Sequence, residues 1–152
     1  DADALVAFFV RRGITHAYVP TVMVADVVGV GQPADLKLRY LFTAGEKLGP
    51  VDTDAVAYTV IDYYGPTEAT IFATCHVVPS ATLGRPASIG RPVGDTEILI
   101  LGDAGEPVTG GDVGEICIGG PGLERGYLGN PGLTRDKFRP HPRQPDRMIY
   151  HT

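Results

Sequence analysis

Turn-forming residues that separate short apolar runs are the feature that most restricts how this chain folds. The 152 residues include 20 glycines and 13 prolines, well above the roughly 12% that these two residues reach in average proteins. They stand between apolar runs rather than in a repeat, and this arrangement indicates many tight turns instead of a disordered segment. The sequence therefore predicts a turn-rich globular protein of about one domain's length.

The first half of the sequence alternates between helical and strand patterns. A first helix is predicted with Asp3 as its cap and Gly13 as its end, and a second helix begins at Pro20 or Thr21. Strands are predicted at residues 14–19, 36–44 and 55–61. Helix and strand in alternation predict a parallel sheet flanked by helices, with functional loops at the carboxyl ends of the strands.

The second half, from about residue 83, contains closely spaced short strands with Gly-, Pro- and Asp-rich turns between them. This spacing predicts a small antiparallel β-sheet or distorted barrel. Strands are expected at residues 97–101 and 115–119, a helical turn capped by Thr134 at residues 131–138, and an irregular exposed stretch at residues 139–143. The fold class is thus α/β, and prolines near the middle of the chain indicate a division into residues 1–85 and 86–152.

Charge and the length of the apolar runs argue against two classes of partner. The 18 acidic and 13 basic residues give a net charge of −5, whereas electrostatic binding of nucleic acid needs clustered lysine and arginine. The apolar runs are far shorter than the ~20 residues of a membrane-spanning helix, and the N-terminus lacks the pattern of a signal peptide. We expect no nucleic-acid partner, no membrane partner and a soluble, cytoplasmic protein.

The cysteines and histidines show no spacing typical of a metal site or a disulfide framework. Cys75 and Cys117 are predicted to be buried, reduced thiols. The histidines are scattered along the chain, so packing or surface roles are expected for His16, His76, His141 and His151. The sequence therefore predicts no metal centre built from these side chains.

The sequence DYYGPTEAT at residues 62–70 follows a predicted strand and collects groups that suit a nucleotide. An aromatic ring stacks on a base, a threonine hydroxyl bonds phosphate, and a glutamate holds Mg²⁺, a hard cation that prefers oxygen ligands. The alternative is the start of a helix, in which Thr67 and Glu68 merely favour the helix dipole. Spacing alone leaves both interpretations open.

A second motif, GEICIGGPGLERGYL at residues 114–128, lies about fifty residues after the first. Its first glycines surround an alternating strand, so they predict turns and bulges rather than a phosphate loop. In this order and at this distance the two motifs resemble the adenylation domains of nonribosomal peptide synthetases, within the adenylate-forming superfamily. The resemblance continues in order over residues 14–21, 41–46, 130–138 and 150–152. It implies the fold of the large N-terminal lobe of these enzymes.

The resemblance implies an ATP site on the first motif. Tyr64 and Gly45 match residues on the two faces of the adenine, and Asp62 stands where the family usually has an asparagine that reads the adenine amino group. A carboxylate also accepts a hydrogen bond from that amino group, so the role is retained. Thr67 matches the hydroxyl that contacts phosphate, and Glu68 matches the Mg²⁺ ligand. These two are the expected catalytic residues.

The resemblance also implies a pocket for an amino acid. The carbonyls of Gly65, which lies in the nucleotide-binding turn, and of Ile71 match the acceptors of the substrate α-amino group. The side chains expected to line the pocket are those of Ala17, Phe42, Ala44, Tyr63, Ile71 and Phe72. None of them carries a charge and three are bulky. The expected substrate therefore has a small or medium apolar side chain, because an unpaired charge is costly to desolvate.

The implied reaction joins an amino acid carboxylate to the α-phosphorus of ATP, giving an aminoacyl adenylate and pyrophosphate. The aminoacyl group then passes to the phosphopantetheine thiol of a peptidyl carrier protein. The 152 residues lack the family's Ser/Thr/Gly-rich phosphate loop, its two lysines and its ribose-binding aspartate, so an internal fragment that is inactive by itself is expected. Two alternatives are an acyl-CoA or fatty-acid-activating ligase of the same superfamily and a non-catalytic binding or scaffold module.

Overall fold

The computed structural model describes residues 1–79, 88–108 and 110–152. They form two units, Asp1–Tyr64 with Cys75–Arg91 (the first unit) and Gly65–Thr74 with Pro92–Thr152 (the second unit). The predicted boundary between residues 85 and 86 lies outside the described residues, and the Gly65–Thr74 segment joins the second unit although it precedes that boundary. No helix in the described part of the chain has the length and apolar character needed to cross a membrane.

The first half of the chain alternates between helices and the strands of a five-stranded sheet, whose order is β1-β2-β3-β4-β5. Strands β1, β2 and β3 are parallel neighbours, which confirms the predicted parallel sheet. The strands are shorter than predicted; β2, for example, begins at position 40 instead of 36. The elements are α1 (Ala2–Arg12), β1 (His16–Tyr18), α2 (Thr21–Gly29), β2 (Tyr40–Ala44), a 3₁₀ turn (Thr53–Ala55), β3 (Thr59–Tyr64), β4 (Thr74–Val77) and β5 (Arg91–Pro92).

The side chains and backbone at the two ends of α1 determine where this helix begins and ends. Its cap is Asp1, whose side chain accepts a hydrogen bond from the Ala4 amide at 3.3 Å, and not the predicted Asp3. Asp3 lies in the first turn, where its charge favours the positive end of the helix dipole. The predicted end is confirmed, because Gly13 adopts the left-handed conformation with φ 62° that stops a helix without a Cβ clash.

The strand β2 has two different faces. Leu41 and Thr43 are fully buried, and Leu41 packs in one core with apolar side chains of α1 and α2. Tyr40, Phe42 and Ala44 alternate with them and are half-buried on the opposite face. Because side chains of a strand point alternately to the two faces of a sheet, the helices cover one face and leave the other to an aromatic surface. The helix residues of this core are Val6, Phe9, Val24, Val27 and Val28.

The second unit contains an antiparallel sheet in the order β6-β7-β9-β8. Its first two strands match the predicted bounds residue for residue. Leu99, Leu101, Cys117 and Ile149 form a small core on one face. The elements are a 3₁₀ turn (Thr67–Ala69), β6 (Glu97–Leu101), β7 (Glu115–Gly119), α3 (Pro131–Lys137), β8 (Phe138–His141) and β9 (Gln144–His151).

The stretch at residues 139–143 is not irregular, and the prediction there was wrong. It forms most of β8 and the turn into β9, and His141 is 3% exposed. The Nε2 atom of His141 lies 3.2 Å from a Glu97 carboxylate oxygen, and its Nδ1 accepts the Arg143 amide at 3.0 Å. Pro140 is tolerated because β8 is an edge strand, where a missing N–H need not break a ladder.

Both cysteines are free thiols, as predicted, but they differ in burial. Cys117 is fully buried in β7, whereas Cys75 is half-buried in β4. The prediction that Cys75 is buried was therefore wrong.

Helix α3 begins at a different cap from the predicted one. The Asn130 side chain accepts the Leu133 amide at 3.1 Å, and Pro131 occupies the first turn, where its missing N–H costs nothing. Thr134 lies inside the helix, where its hydroxyl donates to the Asn130 carbonyl at 3.0 Å and accepts the Tyr127 amide at 2.9 Å.

We predict that Asn130→Ala lowers the free energy of unfolding by about 1 kcal/mol, because the helix loses the acceptor that satisfies a free backbone amide. Urea denaturation followed by circular dichroism measures the change. Asn130→Asp is the matched control, since aspartate caps a helix about as well as asparagine. An equal loss for Asn130→Asp would contradict the capping role.

Candidate functional site

Aromatic side chains line the face of the parallel sheet that lies opposite the helix-covered core. In the registers of β1, β2 and β3, Tyr18 pairs with Phe42 and Ala44 pairs with Tyr63. Register partners in parallel strands share a face, and the Phe42 and Tyr63 rings lie 6.1 Å apart between centroids. Tyr40 stacks on Phe42 at 6.0 Å. Three of the predicted pocket side chains, those of Phe42, Ala44 and Tyr63, are therefore brought together.

Ala17 is not on this surface. It pairs with Leu41, and its side chain packs against the helix-covered core. Its neighbour Tyr18 stands on the aromatic face instead, and the Tyr18 hydroxyl donates to the Ala44 carbonyl at 3.2 Å. A shift of one residue moves a side chain to the other face of a sheet. Tyr18, which the sequence did not single out, thus shares the face of Phe42, whereas Ala17 does not.

The predicted adenine-binding residues lie at the carboxyl ends of β2 and β3. Gly45 follows β2 with φ 101°, a conformation that favours glycine, and Tyr64 ends β3. Ala44 and Tyr63 are the last paired residues of β2 and β3. Gly45 and Tyr64 come directly after them and are therefore neighbours. The first unit therefore brings Gly45 and Tyr64 to one edge of its sheet.

Asp62 has an unsatisfied acceptor two residues before Tyr64. Its Oδ1 atom is buried and has no hydrogen-bond partner among the residues described. Burial raises the pKa of Asp62, and the nearby His76 charge offsets part of that increase. A buried acceptor oxygen that lacks a hydrogen-bond donor destabilises the folded protein, and a donor on a ligand would remove that cost. Asp62 is thus suited to accept a hydrogen bond from a ligand.

The Gly65–Thr74 segment of the second unit is a tight and strained turn. A Cβ atom on Gly65 would lie 2.6 Å from the Ala73 amide nitrogen and closer still to the Ile71 carbonyl oxygen. Thr70 and Ile71 have φ angles of 54° and 75°, which are rare for β-branched residues. The Thr70 hydroxyl donates to the Gly122 carbonyl at 2.6 Å and helps to hold this conformation. The turn brings together the main chains of Gly65 and Ile71, the two predicted α-amino acceptors.

Two predicted side chains of this segment remain accessible. Ile71 is 61% exposed, and Thr67 is exposed at the start of the 3₁₀ turn. Phe72 is half-buried in the same unit. Strained backbone with accessible side chains is typical of a functional turn, because the strain persists only where the surroundings hold it.

A hydrogen bond within the second unit holds the Glu68 carboxylate and favours its ionised form. The Tyr127 hydroxyl donates to its Oε1 atom at 2.5 Å, and the Glu68 carbonyl accepts the Glu124 amide at 2.8 Å. The bond from Tyr127 is the main cause that lowers the pKa of Glu68, with smaller contributions from Tyr150 and from the Lys137 charge. The same bond raises the pKa of Tyr127. A carboxylate offers about four lone-pair positions, so Glu68 retains capacity for a cation.

Tyr127, which holds the Glu68 carboxylate, is itself held by contacts of its main chain and its ring. Its amide donates to Thr134, and its ring meets the Phe138 ring edge-on at 5.8 Å. Phe138 in turn packs against Tyr150 at 5.2 Å. The bond to Glu68 joins residues 59 positions apart, and no local pattern signals it.

Comparison with known sequences gives matches over most of the chain. A protein family described as AMP-binding enzymes matches residues 1–128. A linear gramicidin synthase of Brevibacillus parabrevis is 38% identical over 137 residues, which is 89% of this chain and 3% of that protein. A plipastatin synthase of Bacillus subtilis (strain 168) is 35% identical, and the match covers 100% of this chain and 6% of that protein. The chain thus spans a small part of these relatives.

Solved structures share the fold. PA1221, a nonribosomal peptide synthetase protein containing adenylation and PCP domains, matches with a TM-score of 0.81 and 29% identity, over 100% of this chain and 32% of PA1221. The N-terminal subdomain of Klebsiella oxytoca NpsA matches with a TM-score of 0.83 and 24% identity, over 100% of this chain and 40% of that one. The fold expected from the two motifs is confirmed.

We predict that Gly65→Ala destabilises the second unit by roughly 1–3 kcal/mol, because the added methyl group meets main-chain atoms that cannot rotate away. Urea denaturation provides the measurement. Gly49→Ala is the control, since a Cβ atom there has no neighbour within 4 Å. Equal stability of the two variants would rule out the close approach of Gly65 to Ile71.

We predict that Tyr127→Phe raises the pKa of Glu68 toward its ordinary value, because the charged form loses its donor while the ring packing stays. Carbon-13 NMR titration of the carboxyl group measures the change, with Tyr40→Phe as the control. In the wild type the folded-state pKa lies below the unfolded one. The stabilisation is therefore present above the unfolded pKa of about 4.3 and is lost as the pH falls through the folded-state pKa. An unchanged titration of Glu68 would refute the assignment.

Proposed function

The chain belongs to the AMP-binding enzyme family, and we propose that it carries the adenine-binding and amino-acid-binding parts of an adenylation site. The proposed reaction forms an aminoacyl adenylate from an amino acid and ATP, with pyrophosphate as the second product. The observation that carries the proposal is the ionised Glu68 in a strained turn, one residue after an exposed threonine hydroxyl. Similarity to gramicidin and plipastatin synthases supports an amino acid as the substrate, in preference to a fatty acid.

The adenine is proposed to lie against Tyr64, with Gly45 on its other face. An aromatic ring stacks on a base at a gain of roughly 1–3 kcal/mol. The absence of a side chain at Gly45 leaves the base room to approach the backbone. Asp62 is proposed to accept from the adenine amino group, and its buried oxygen without a donor supports that role.

We propose that the ATP phosphates contact the Thr67 hydroxyl and that Glu68 binds their Mg²⁺ ion. Glu68 suits Mg²⁺, because Mg²⁺ usually binds through one or two carboxylates together with substrate phosphates. When bound, the ion neutralises phosphate charge. Tyr127 is proposed to position the Glu68 carboxylate for the ion through its hydrogen bond.

The amino acid is proposed to rest its side chain on the aromatic surface of Tyr18, Phe42, Ala44 and Tyr63, with Ile71 and Phe72 as further contributors. This set differs from the one predicted from sequence by Tyr18 in place of Ala17. None of these side chains is charged. A charged substrate side chain would therefore lose its hydration without gaining an opposite charge. A small or medium apolar side chain is the proposed substrate class. The carbonyls of Gly65 and Ile71 are proposed to accept from the α-amino group and so to orient the carboxylate.

The product is proposed to pass to the phosphopantetheine thiol of a peptidyl carrier protein. PA1221, which combines adenylation and PCP domains, supports this partner. The attacking thiol would replace the adenylate at the acyl carbon and release AMP.

The test is amino-acid-dependent exchange of pyrophosphate into ATP by the gene-encoded polypeptide that contains these 152 residues. We predict stimulation by amino acids with small or medium apolar side chains and an approximately hundredfold slower exchange for Glu68→Gln. Glu106→Gln, which removes an exposed charge elsewhere, is the control and should leave the rate unchanged.

Two results would overturn the proposal. One is the absence of exchange with every amino acid. The other is an unaltered rate in Glu68→Gln. Transfer of the acyl group to free CoA, but not to a carrier protein, would indicate the ligase alternative instead.

A further inference from the structure

Three side chains of different chemistry meet where β7 pairs with β9. Cys117 and His151 are register partners on these antiparallel strands, and Glu115 lies two residues before Cys117 on the same face. The Cys117 Sγ and His151 Nδ1 atoms are 3.4 Å apart, and His151 Nδ1 is 2.7 Å from the Glu115 Oε2 atom. All three atoms lie within 4.8 Å of one another.

This cluster is separate from the site proposed for ATP. Neighbouring residues of a strand point to opposite faces, so His151 faces away from Tyr150, the neighbour that interacts with Glu68 and Tyr127. The cluster therefore needs an explanation of its own.

The ligand types match a zinc ion, and a small movement of Glu115 brings their spacing to the one that zinc needs. Zn²⁺ binds thiolate at about 2.3 Å, imidazole at about 2.0–2.1 Å and carboxylate at about 2.0–2.2 Å in a tetrahedral arrangement. Those bond lengths place neighbouring ligand atoms roughly 3.4–3.6 Å apart. The distance between Cys117 and His151 already has this value. The 2.7 Å distance between His151 and Glu115 must open by roughly 0.7 Å to reach that range. The partly exposed Glu115 side chain has the freedom to do so.

We propose that Glu115, Cys117 and His151 form a binding site for Zn²⁺, with the fourth position held by water on the exposed side of Glu115. On binding, the Cys117 thiol releases its proton to solvent, while His151 contributes the lone pair of Nδ1 as a neutral ring. One thiolate and one carboxylate then balance the two positive charges of the ion. A centre without net charge is less costly to bury than a charged one.

The burial of Cys117 argues against another role for this residue, that of a reactive nucleophile. Cys117 has no exposed surface, and a nucleophile needs access to its substrate. A bound ion has no such requirement, because it reaches the thiol from the Glu115 side. The consequence is a cross-link between β7 and the end of β9, the strand that also carries Tyr150.

The test is a titration of the intact chain with Zn²⁺, and with Co²⁺ as a spectroscopic probe. We expect one ion per chain, a thiolate-to-cobalt charge-transfer band and the visible bands of tetrahedral Co²⁺. Cys117→Ser should abolish the charge-transfer band and weaken Zn²⁺ binding by about a hundredfold or more. Cys75→Ser is the matched control and should leave both unchanged.

Glu115→Gln keeps the test decisive if the buried variants fail to fold, because Glu115 is exposed. Circular dichroism confirms folding, and Zn²⁺ affinity should fall about tenfold or more. Glu68→Gln should retain Zn²⁺ binding, which separates this site from the proposed Mg²⁺ ligand. Failure of the folded wild type to bind Zn²⁺, or equal binding by wild type and Glu115→Gln, would overturn the proposal.

Discussion

The hydrogen bond from the Tyr127 hydroxyl to the Glu68 carboxylate determines what the turn after β3 can do. A glutamate on an unrestrained turn would be an ordinary surface charge. Here the carboxylate is held against a ring that Phe138 and Thr134 keep in place. The bond favours the charged form of Glu68 and fixes the position of its carboxylate oxygens. The short turn thereby holds a negative charge in one defined place.

The parallel sheet contributes a second constraint, which is its division into two unlike faces. Leu41 and Thr43 are buried under the helices, while Phe42 and Tyr63 meet on the other face. The first face supplies the hydrophobic free energy that keeps the strands in register. The second face carries aromatic side chains that lie outside the core formed with the helices. Core packing and the aromatic surface are thus divided between alternate residues of the same strands.

Sequence reasoning succeeded for several features with a local signal, although it misplaced the caps of α1 and α3. The bounds of β6 and β7, the end of α1 at Gly13 and the parallel pairing of the first strands were all predicted. It failed where partners are distant in the chain. Residues 139–143 seemed irregular because of their prolines, yet an edge strand accommodates Pro140, and β9 supplies the pairing. Likewise His151 and Cys117 have no ligand spacing along the sequence, and only strand pairing puts them side by side.

By itself the sequence determined the two motifs that identify the family and the approximate positions of five strands, because these depend on neighbouring residues. Those strands are β1, β2, β3, β6 and β7. The tertiary structure decided that Tyr18 and not Ala17 shares a face with Phe42, since a three-residue strand has no pattern long enough to set its phase. It also decided that Tyr127 meets Glu68. In that contact, as in the contact between Cys117 and His151, the two residues are far apart in the sequence. The packing of the whole unit brings them together, and no short stretch of sequence encodes that packing.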